Sequence, residues 1–507
     1  MVEPANSYLL KLASIILSKF YLCVIIVQPT AAMASATITL LDEAQPQLKV
    51  SKISAVAPAI PTSRQRIFLS ILDFWFLPFR NVQRLFFYRI SAEDEYSLVV
   101  DRLRESLSSV LVYFYPLAGR IDNGESGRPA IDCNDDGVEF VEASIDMPFQ
   151  LLERDGFERR PFFQTLVRVA NPLLHQNYTP PVLSIQVTAF EGSGICIGTT
   201  LHHAIADGNS FWHFMKSWVE CSRGLPVSKP PDHRRSIFIR ENKGLASISL
   251  KAQEVSNDRF AGAKIFNFVP DDLQPEHGKP VGGSDPQNQE ETAQNWVDPS
   301  DKLELVYSKF RFKKERIRDL KQRAGASSSF VAVTAQFWRC VMIARGVPPE
   351  EDVSFTVLVD LRGRVKPPLP SSYFGNCISV GVVKIKARKL VNEDISFAAG
   401  LIEEVINFCT TETYVNNMME WLRSPDNGYP SFLSERGRYA TNAVGSPRFP
   451  LYDIDYGWGK PLNVQLLSIN GIGGMVLDPA SDGGGSIVVS TRLPQHQMET
   501  LSELLFV

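Results

Sequence analysis

The chain of 507 residues has little cysteine, and none of it forms a paired motif. Its seven cysteines are widely spaced, odd in number and free of any C-x-x-C pair. Disulfide frameworks and tetrahedral zinc sites need cysteines in even or closely spaced sets, so both are disfavoured. We expect buried free thiols in a reducing compartment.

The sequence also lacks an excess of charge and the common nucleotide and hydrolase motifs. Its formal charge is -4, whereas nucleic-acid binding needs clustered Lys and Arg to neutralise phosphates. Beyond the N-terminal stretch, no run approaches the roughly 20 apolar residues of a membrane span. No G-x-S-x-G elbow, G-x-G-x-x-G loop or Walker string is present. A small-molecule partner is therefore expected, rather than nucleic acid or a membrane.

The N-terminus allows two interpretations. Residues 9–27 are apolar but interrupted by Lys11 and Lys19, and small residues follow at 31–36, as in a secretory signal. Met33, however, opens a stretch typical of a natural start. We expect residues 1–32 to be an extension or a mis-called start.

The rest of the chain has ordinary globular composition, with 44% hydrophobic and 21% charged residues, and is longer than one core usually holds. Three- to four-residue periodicity predicts helices near 98–110, 211–222, 317–323 and 329–345. Alternation predicts strands near 183–189, 195–199, 303–307, 353–359, 378–383, 464–469 and 486–493. Two glycine-rich segments, 471–474 and 483–485, are predicted to be hairpin turns. The pattern indicates an α/β protein.

The predicted division is an N-terminal domain over 33–243, a crossover linker over 244–301 and a C-terminal domain over 302–507. The linker is inferred from a change in composition and from the polar, aperiodic stretch that follows Pro270. A charge-bearing recognition loop is the alternative.

The chemistry-bearing string is H-x-x-x-D-G, with His203, Asp207 and Gly208, in a predicted strand-to-helix connection. An imidazole titrates near neutrality, so His203 could take a proton from an attacking hydroxyl. Asp207 could contact the ring only in a helix, which Gly208 disfavours. A structural role, such as an ion pair with an arginine, is the alternative. A metal site is disfavoured because adjacent His202 and His203 cannot easily converge on one ion.

Two further strings follow in order: Tyr373-Phe374-Gly375-Asn376-Cys377 and Asp455-Tyr456-Gly457-Trp458-Gly459. In this order and at these separations, the three strings resemble the plant BAHD acyl-CoA-dependent acyltransferases, and the resemblance covers about 33–507. The Y-F-G-N-C string and residues 82–88 resemble the branch that acylates flavonoids, anthocyanins and phenolic glucosides, which includes malonyltransferases.

This resemblance implies a two-domain fold like that of chloramphenicol acetyltransferase, with a channel between the domains. His203 would be the general base, and Asp207 would point away from the site and pair with Arg362. The family motif D-F-G-W-G, here with Tyr456 in place of Phe, would support the structure. A role for Trp458 as an oxyanion donor is the alternative.

Further implications concern the channel and the substrates. Tyr373, Phe374 and Asn376 are candidates to line the channel. The resemblance also implies no permanently bound cofactor, no metal, acyl-CoA as co-substrate, a phenolic glycoside acceptor, and a cytoplasmic monomer.

The acyl group is left open between two classes. A malonyl donor needs a cation near its free carboxylate, whereas a hydroxycinnamoyl donor needs an apolar slot, for which Trp212 and Phe374 are available. We place malonyl first. A non-catalytic relative that assists fatty-acid elongation is the alternative, disfavoured because the 455–459 motif is nearly intact.

Overall fold

Two large mixed β-sheets form the framework of the protein in a computed structural model. The structure describes residues 46–77, 81–90, 95–122, 129–168, 179–238, 248–270, 304–366, 368–422, 437–468 and 471–506. The predicted start-site features of residues 1–32 lie outside this part. The strands are β1 (Leu48–Val56), β2 (Gln65–Phe68), β3 (Val82–Arg89), β4 (Arg120–Asp122), β5 (Ala130–Cys133), β6 (Val138–Pro148), β7 (Leu183–Glu191), β8 (Gly194–Leu201), β9 (Ile248–Glu254), β10 (Lys264–Pro270), β11 (Leu305–Phe312), β12 (Asp352–Asp360), β13 (Ile378–Lys386), β14 (Tyr439–Gly445), β15 (Asn463–Leu466), β16 (Met475–Pro479) and β17 (Ile487–Pro494).

Six strands form one sheet in the order β1-β6-β7-β8-β3-β15, and eight form the other in the order β11-β17-β16-β14-β12-β13-β10-β9. A small third sheet has the order β2-β5-β4. The helices are α1 (Ile71–Phe74), α2 (Tyr96–Leu111), α3 (Phe149–Arg154), α4 (Gly208–Ser222), α5 (Lys314–Ala324), α6 (Ser329–Ala344), α7 (Ala387–Asn392), α8 (Ile395–Phe408), α9 (Glu412–Trp421) and α10 (Gln495–Phe506).

Each large sheet buries one face under helices. The apolar stripe of α2, including Leu103 and Leu107, packs with Trp218 of α4 against the six-stranded sheet. The nearly all-apolar α6 is buried against the eight-stranded sheet, where Trp338 contacts Phe355 of β12. The 3.6-residue periodicity of the helices and the two-residue periodicity of the strands produce two layered cores. The mixture of helices and strands in both cores confirms the predicted α/β class.

Neither large sheet is built from a single predicted domain. Strand β15 belongs to the C-terminal half but pairs with β3 in the six-stranded sheet. In return, β9 and β10 lie in the eight-stranded sheet, with β10 beside β13. The six-stranded sheet therefore contains a strand from the predicted C-terminal domain, and the eight-stranded sheet contains two strands from the region predicted to be the linker.

The region 248–270 differs from the solvated linker that we predicted over 244–301. It forms the strands β9 and β10, because Ile265, Phe266 and Phe268 supply buried apolar side chains to the core of the eight-stranded sheet. The polar composition beyond Pro270 had masked this short signal. Residues 271–303 lie outside the described part.

Most predicted elements are confirmed, including the hairpin of β7 and β8 and the helices α2, α4, α5 and α6. Of the two predicted glycine turns, 483–485 joins the antiparallel β16 and β17. The segment 471–474 instead joins β15 of one sheet to β16 of the other. Among the described residues, no helix is long and apolar enough to span a bilayer, and the six cysteines there are free thiols.

Candidate active site

The loop between β8 and α4 carries His203. Strand β8 ends at Leu201, and Asp207 caps the helix that follows by accepting a hydrogen bond from the Ser210 N–H at 3.0 Å. An aspartate at this position satisfies a helix donor that would otherwise lack a partner. The cap starts α4 at Gly208, three residues earlier than periodicity alone predicts. His203 therefore lies in a short loop fixed at both ends by regular structure.

Asp207 forms a two-pronged ion pair with Arg362, which follows β12. The Nη1–Oδ2 and Nη2–Oδ1 distances are both 2.9 Å, and the two side chains are 2% and 8% exposed. The backbone N–H of Cys377 also donates to Asp207 Oδ2 at 3.0 Å. The expected pairing with Arg362 is confirmed, and it ties the helix cap to the C-terminal half of the chain.

Arg362 also organises the Y-F-G-N-C segment. Its Nη2 donates to Ser210 Oγ at 2.9 Å and to the Gly375 carbonyl at 3.2 Å, while Nη1 contacts Asp360 Oδ1 at 2.8 Å. Burial would lower the pKa of Arg362, but the charges of Asp207 and Asp360 outweigh it and hold the pKa above its usual value. The guanidinium remains charged at every physiological pH.

A second buried ion pair contacts the loop, and no local pattern in the sequence indicates it. Arg235 Nη1 is 2.6 Å from Asp73 Oδ2, and the two side chains are 1% and 0% exposed. Arg235 Nη2 also donates to the Ile205 carbonyl at 2.7 Å. The pair therefore holds the backbone of the His203 loop at Ile205, independently of Arg362.

Asn376 connects this second pair to His203. Its Nδ2 donates to the His203 carbonyl at 2.9 Å and to Asp73 Oδ1 at 2.9 Å, and its backbone N–H donates to the same Asp73 oxygen at 3.0 Å. The Ser70-x-x-Asp73 capping box of α1 is visible in the sequence. Nothing in the sequence connects it to a loop 130 residues away.

His203 as a residue is partly exposed, its ring nitrogen Nδ1 is buried, and the ring stacks on Phe76 with ring centroids 4.0 Å apart and an interplanar angle of 4°. Burial lowers the pKa of His203 from its usual value, opposed by hydrogen bonding to its own main chain and by the charge of Asp207. The imidazole is therefore neutral at pH 7, which is the form that accepts a proton.

His202 plays a different part from His203. Its Nδ1 accepts a hydrogen bond from the Ala204 N–H at 3.2 Å, and burial followed by the charge of His203 lowers its pKa to about 4. Such a neutral ring supports the loop backbone. Among the described residues, no group of three or more His, Cys, Asp or Glu side chains is placed to hold a metal ion.

The three predicted channel candidates are all buried: Tyr373 is 1% exposed, and Phe374 and Asn376 are 0% exposed. Phe374 packs against Phe114 with centroids 5.2 Å apart. The Asn376 side chain is hydrogen-bonded to the backbone of the His203 loop. In this structure these three residues are part of the packing around the His203 loop.

The 455–459 motif lies at the far end of α4. Ser222 Oγ, in the last turn, donates to the Tyr456 carbonyl at 3.0 Å, whereas His203 precedes the first turn. A helix of 15 residues spans about 22 Å, a separation that does not fit an oxyanion donor role for Trp458.

Local geometry explains the residue types in this motif. Asp455 Oδ1 accepts hydrogen bonds from the N–H groups of Gly457 and Gly459, both at 2.9 Å. The two glycines have φ values of +114° and +108°, which residues with a Cβ rarely adopt. Tyr456 packs between Trp218 and Trp458, with centroids 4.9 and 5.5 Å away.

Tyr456→Phe is expected to raise the free energy of unfolding by about 1–3 kcal/mol, the usual cost of an unsatisfied buried polar group. The Tyr456 side chain is 0% exposed, and its hydroxyl has no hydrogen-bond partner in the described part of the chain. Urea denaturation measures the change. As the matched control, Tyr88→Phe should be destabilising, because the Tyr88 hydroxyl donates to the Ile454 carbonyl at 2.9 Å. Equal effects of the two substitutions on stability would contradict the difference between an unpaired Tyr456 hydroxyl and a hydrogen-bonded Tyr88 hydroxyl.

Comparison with known proteins identifies the architecture around this loop. Residues 47–504 match the Transferase family. The chain belongs to this family, the BAHD acyltransferases. It is 30% identical over 473 residues to a hydroxycinnamoyltransferase of Narcissus pseudonarcissus, covering 90% of this chain and 99% of that protein. It is 27% identical over 491 residues to phenolic glucoside malonyltransferase 1 of Arabidopsis thaliana, covering 92% and 98%.

The fold is also that of the family. The crystal structure of vinorine synthase matches with a TM-score of 0.62 and 22% identity, covering 91% of this chain and 98% of that one. This BAHD protein is therefore an acyltransferase with a two-domain α/β fold. The predicted family, fold class and enzyme class are confirmed.

Proposed function

We propose that this protein transfers a malonyl or hydroxycinnamoyl group from acyl-CoA to a sugar hydroxyl of a phenolic glucoside such as a flavonoid or anthocyanin glucoside, with His203 as the general base. The observation that carries the proposal is the state of His203. The residue is partly exposed, burial holds the pKa of its ring below the usual value so that the ring is neutral, and Asn376 fixes its backbone carbonyl. A base must be held within hydrogen-bond reach of the proton it takes.

The reaction needs no covalent enzyme intermediate. His203 takes the proton of the acceptor hydroxyl as that oxygen attacks the thioester carbonyl. The tetrahedral oxyanion collapses, the C–S bond breaks, and the CoA thiolate leaves and receives the proton from the imidazolium. Asp207 does not share in the proton transfer, because Arg362, Ser210 and Cys377 engage both of its carboxylate oxygens.

The substrate classes rest on the relatives. Those reported above include both a hydroxycinnamoyltransferase and a phenolic glucoside malonyltransferase, at similar identity. Acyl-CoA serves as co-substrate in the proposal. Cytoplasmic location and monomeric state stay predictions.

Release of free CoA thiol tests the proposal directly. The purified protein is offered malonyl-CoA or p-coumaroyl-CoA with a panel of flavonoid, anthocyanin and simple phenolic glucosides, and the products are identified by mass spectrometry. Acceptor-dependent thiol release with a product heavier by one acyl group is expected. If none of the donor and acceptor pairs that release thiol yields an acylated glucoside, the proposed acceptor class is contradicted.

The pH profile gives a second test. Because the pKa of His203 lies below its usual value near 6.5, its base form persists into mildly acidic solution. The value of kcat/KM is expected to stay level from pH 8 to about pH 6.5 and to fall only below it. His202→Gln should retain the same profile, since His202 is neutral throughout this range. A midpoint above pH 7 would contradict this role for His203.

A further inference from the structure

A polar cluster lies where the two large sheets meet, outside the loop described above. It consists of Arg84 on β3, Lys309 on β11, Asp478 on β16 and Trp212 on α4. Beside it, a small apolar cluster joins both sheets through Val82, Tyr307, Val444, Leu466 and Val476. Strand alternation places Arg84 with Val82, Lys309 with Tyr307 and Asp478 with Val476, so all three polar side chains share this inter-sheet space.

The cluster contains buried polar atoms without partners. Arg84 Nη1, Asp478 Oδ1 and Trp212 Nε1 have no hydrogen-bond partner within the described ranges. Arg84 Nη1 and Asp478 Oδ1 are 3.9 Å apart, which is too long for a hydrogen bond. The Arg84 guanidinium lies over the Trp212 ring, 4.9 Å from its centroid. Native structures rarely leave buried donors and acceptors unsatisfied, so a missing polar group is indicated.

The charges of the cluster show which sign that group carries. Two cations, Arg84 and Lys309, face one carboxylate, Asp478. A third cation, Arg159, is already engaged by the Leu467 carbonyl at 2.5 Å. Of the acids farther from Lys309, Asp155 is paired with Arg160 and Glu158 is exposed. The inter-sheet space therefore carries an uncompensated positive charge.

The ionisation of the cluster reflects its burial. Burial lowers the pKa of Lys309 to about 8, despite the charge of Asp478. Burial likewise lowers the pKa of Arg84 and raises that of Asp478. An added anion beside Lys309 and Arg84 would stabilise both cations.

The cluster is close to the reacting centre along the backbone. Arg84 pairs in register with Thr199 of β8, four residues before His203, a step of at most about 13 Å. Trp212 lies in the helix that Asp207 caps. The side chains of Arg84 and Asp478 are 6% and 11% exposed, and their unpaired atoms are buried, so binding requires the substrate carboxylate to enter the space between the sheets.

We propose that Arg84 and Lys309, with the Trp212 indole N–H, bind a carboxylate of the substrate. This rests on the proposed acyl transfer and selects its substrate class. The carboxylate belongs either to a dicarboxylic acyl donor such as malonyl-CoA or to an acidic acceptor. An arginine recognises a carboxylate through two parallel hydrogen bonds, while Asp478 keeps the guanidinium oriented.

Calorimetric titration without acceptor tests the donor arm, because acetyl-CoA is malonyl-CoA without the carboxylate. Wild-type protein is expected to bind malonyl-CoA about 10- to 100-fold more tightly than acetyl-CoA, the range for a charge-assisted hydrogen bond. Arg84→Met should abolish the preference and Lys309→Met should reduce it. Arg84→Lys, which keeps the charge and guards against a folding defect, should retain part of it.

Arg104→Met is the matched control, since Arg104 also lies over an aromatic ring, 4.8 Å from the Phe140 centroid, but outside the cluster. It should leave the preference unchanged. The acceptor arm measures transfer from p-coumaroyl-CoA to shikimate, an acidic acceptor, and to a neutral glucoside. A rise in KM for shikimate alone in Arg84→Met would assign the carboxylate to the acceptor.

An unchanged malonyl preference together with an unchanged KM for shikimate in Arg84→Met would overturn the proposal. Failure of the proposed function has a different signature. In that case wild-type protein transfers no acyl group to any acceptor, while the binding preference is still measured by calorimetry.

Discussion

His203→Ala is expected to lower kcat by about 10²- to 10⁴-fold, the usual contribution of a positioned general base. The loss falls on kcat because the base acts in the transition state, while acyl-CoA binding does not depend on the imidazole. Steady-state kinetics with the donor and acceptor identified by thiol release measure the change, and calorimetry verifies that acyl-CoA still binds.

His202→Ala is the neighbouring control for this result. Its ring accepts one hydrogen bond from the Ala204 N–H and takes no proton in the proposed reaction, so a much smaller loss is expected. If His203→Ala retained more than a tenth of the wild-type kcat, the assignment of His203 as the base would fail.

Asp73→Ala is expected to lower the free energy of unfolding by about 3–5 kcal/mol, because it leaves the Arg235 guanidinium charged and buried. Both side chains of the pair are at most 1% exposed. The substitution also removes the acceptor that orients Asn376 under the His203 carbonyl. We therefore expect kcat to fall as well, measured at a temperature where the variant is folded.

A double substitution separates the two effects. Asp73→Leu with Arg235→Met removes both charges, and stability should recover towards that of the wild type. The rate should not recover, because Asn376 and the Ile205 carbonyl still lack their partners. Full recovery of kcat would show that the pair supports folding alone.

The exposed pair of Arg223 and Asp455 supplies the comparison for stability. These charges are 3.7 Å apart, with side chains 51% and 28% exposed. Arg223→Ala should therefore change stability by about 0–1 kcal/mol. The contrast with Asp73→Ala isolates burial as the source of the larger effect.

Much of the framework follows from local sequence. The two-residue alternation of β7, β8 and β12 and the helical periodicity of α2 and α6 are local properties, so these elements were predicted almost within their bounds. Strands β9 and β10 were missed because a few aromatic positions precede a long polar stretch, and composition over that window outweighed them.

The sequence by itself determined the order and type of most elements and His203 as the candidate base, and its resemblance to the family added Arg362 as the expected partner of Asp207. Only the tertiary structure decided that Asp73, Arg235 and Asn376 hold the loop, and that Arg84, Lys309 and Asp478 meet between the sheets. The reason is physical. Periodicity and capping depend on neighbours within a few residues, whereas these contacts join side chains separated by more than 150 residues in the chain. Their partners are selected by packing of the two sheets, which no local pattern records.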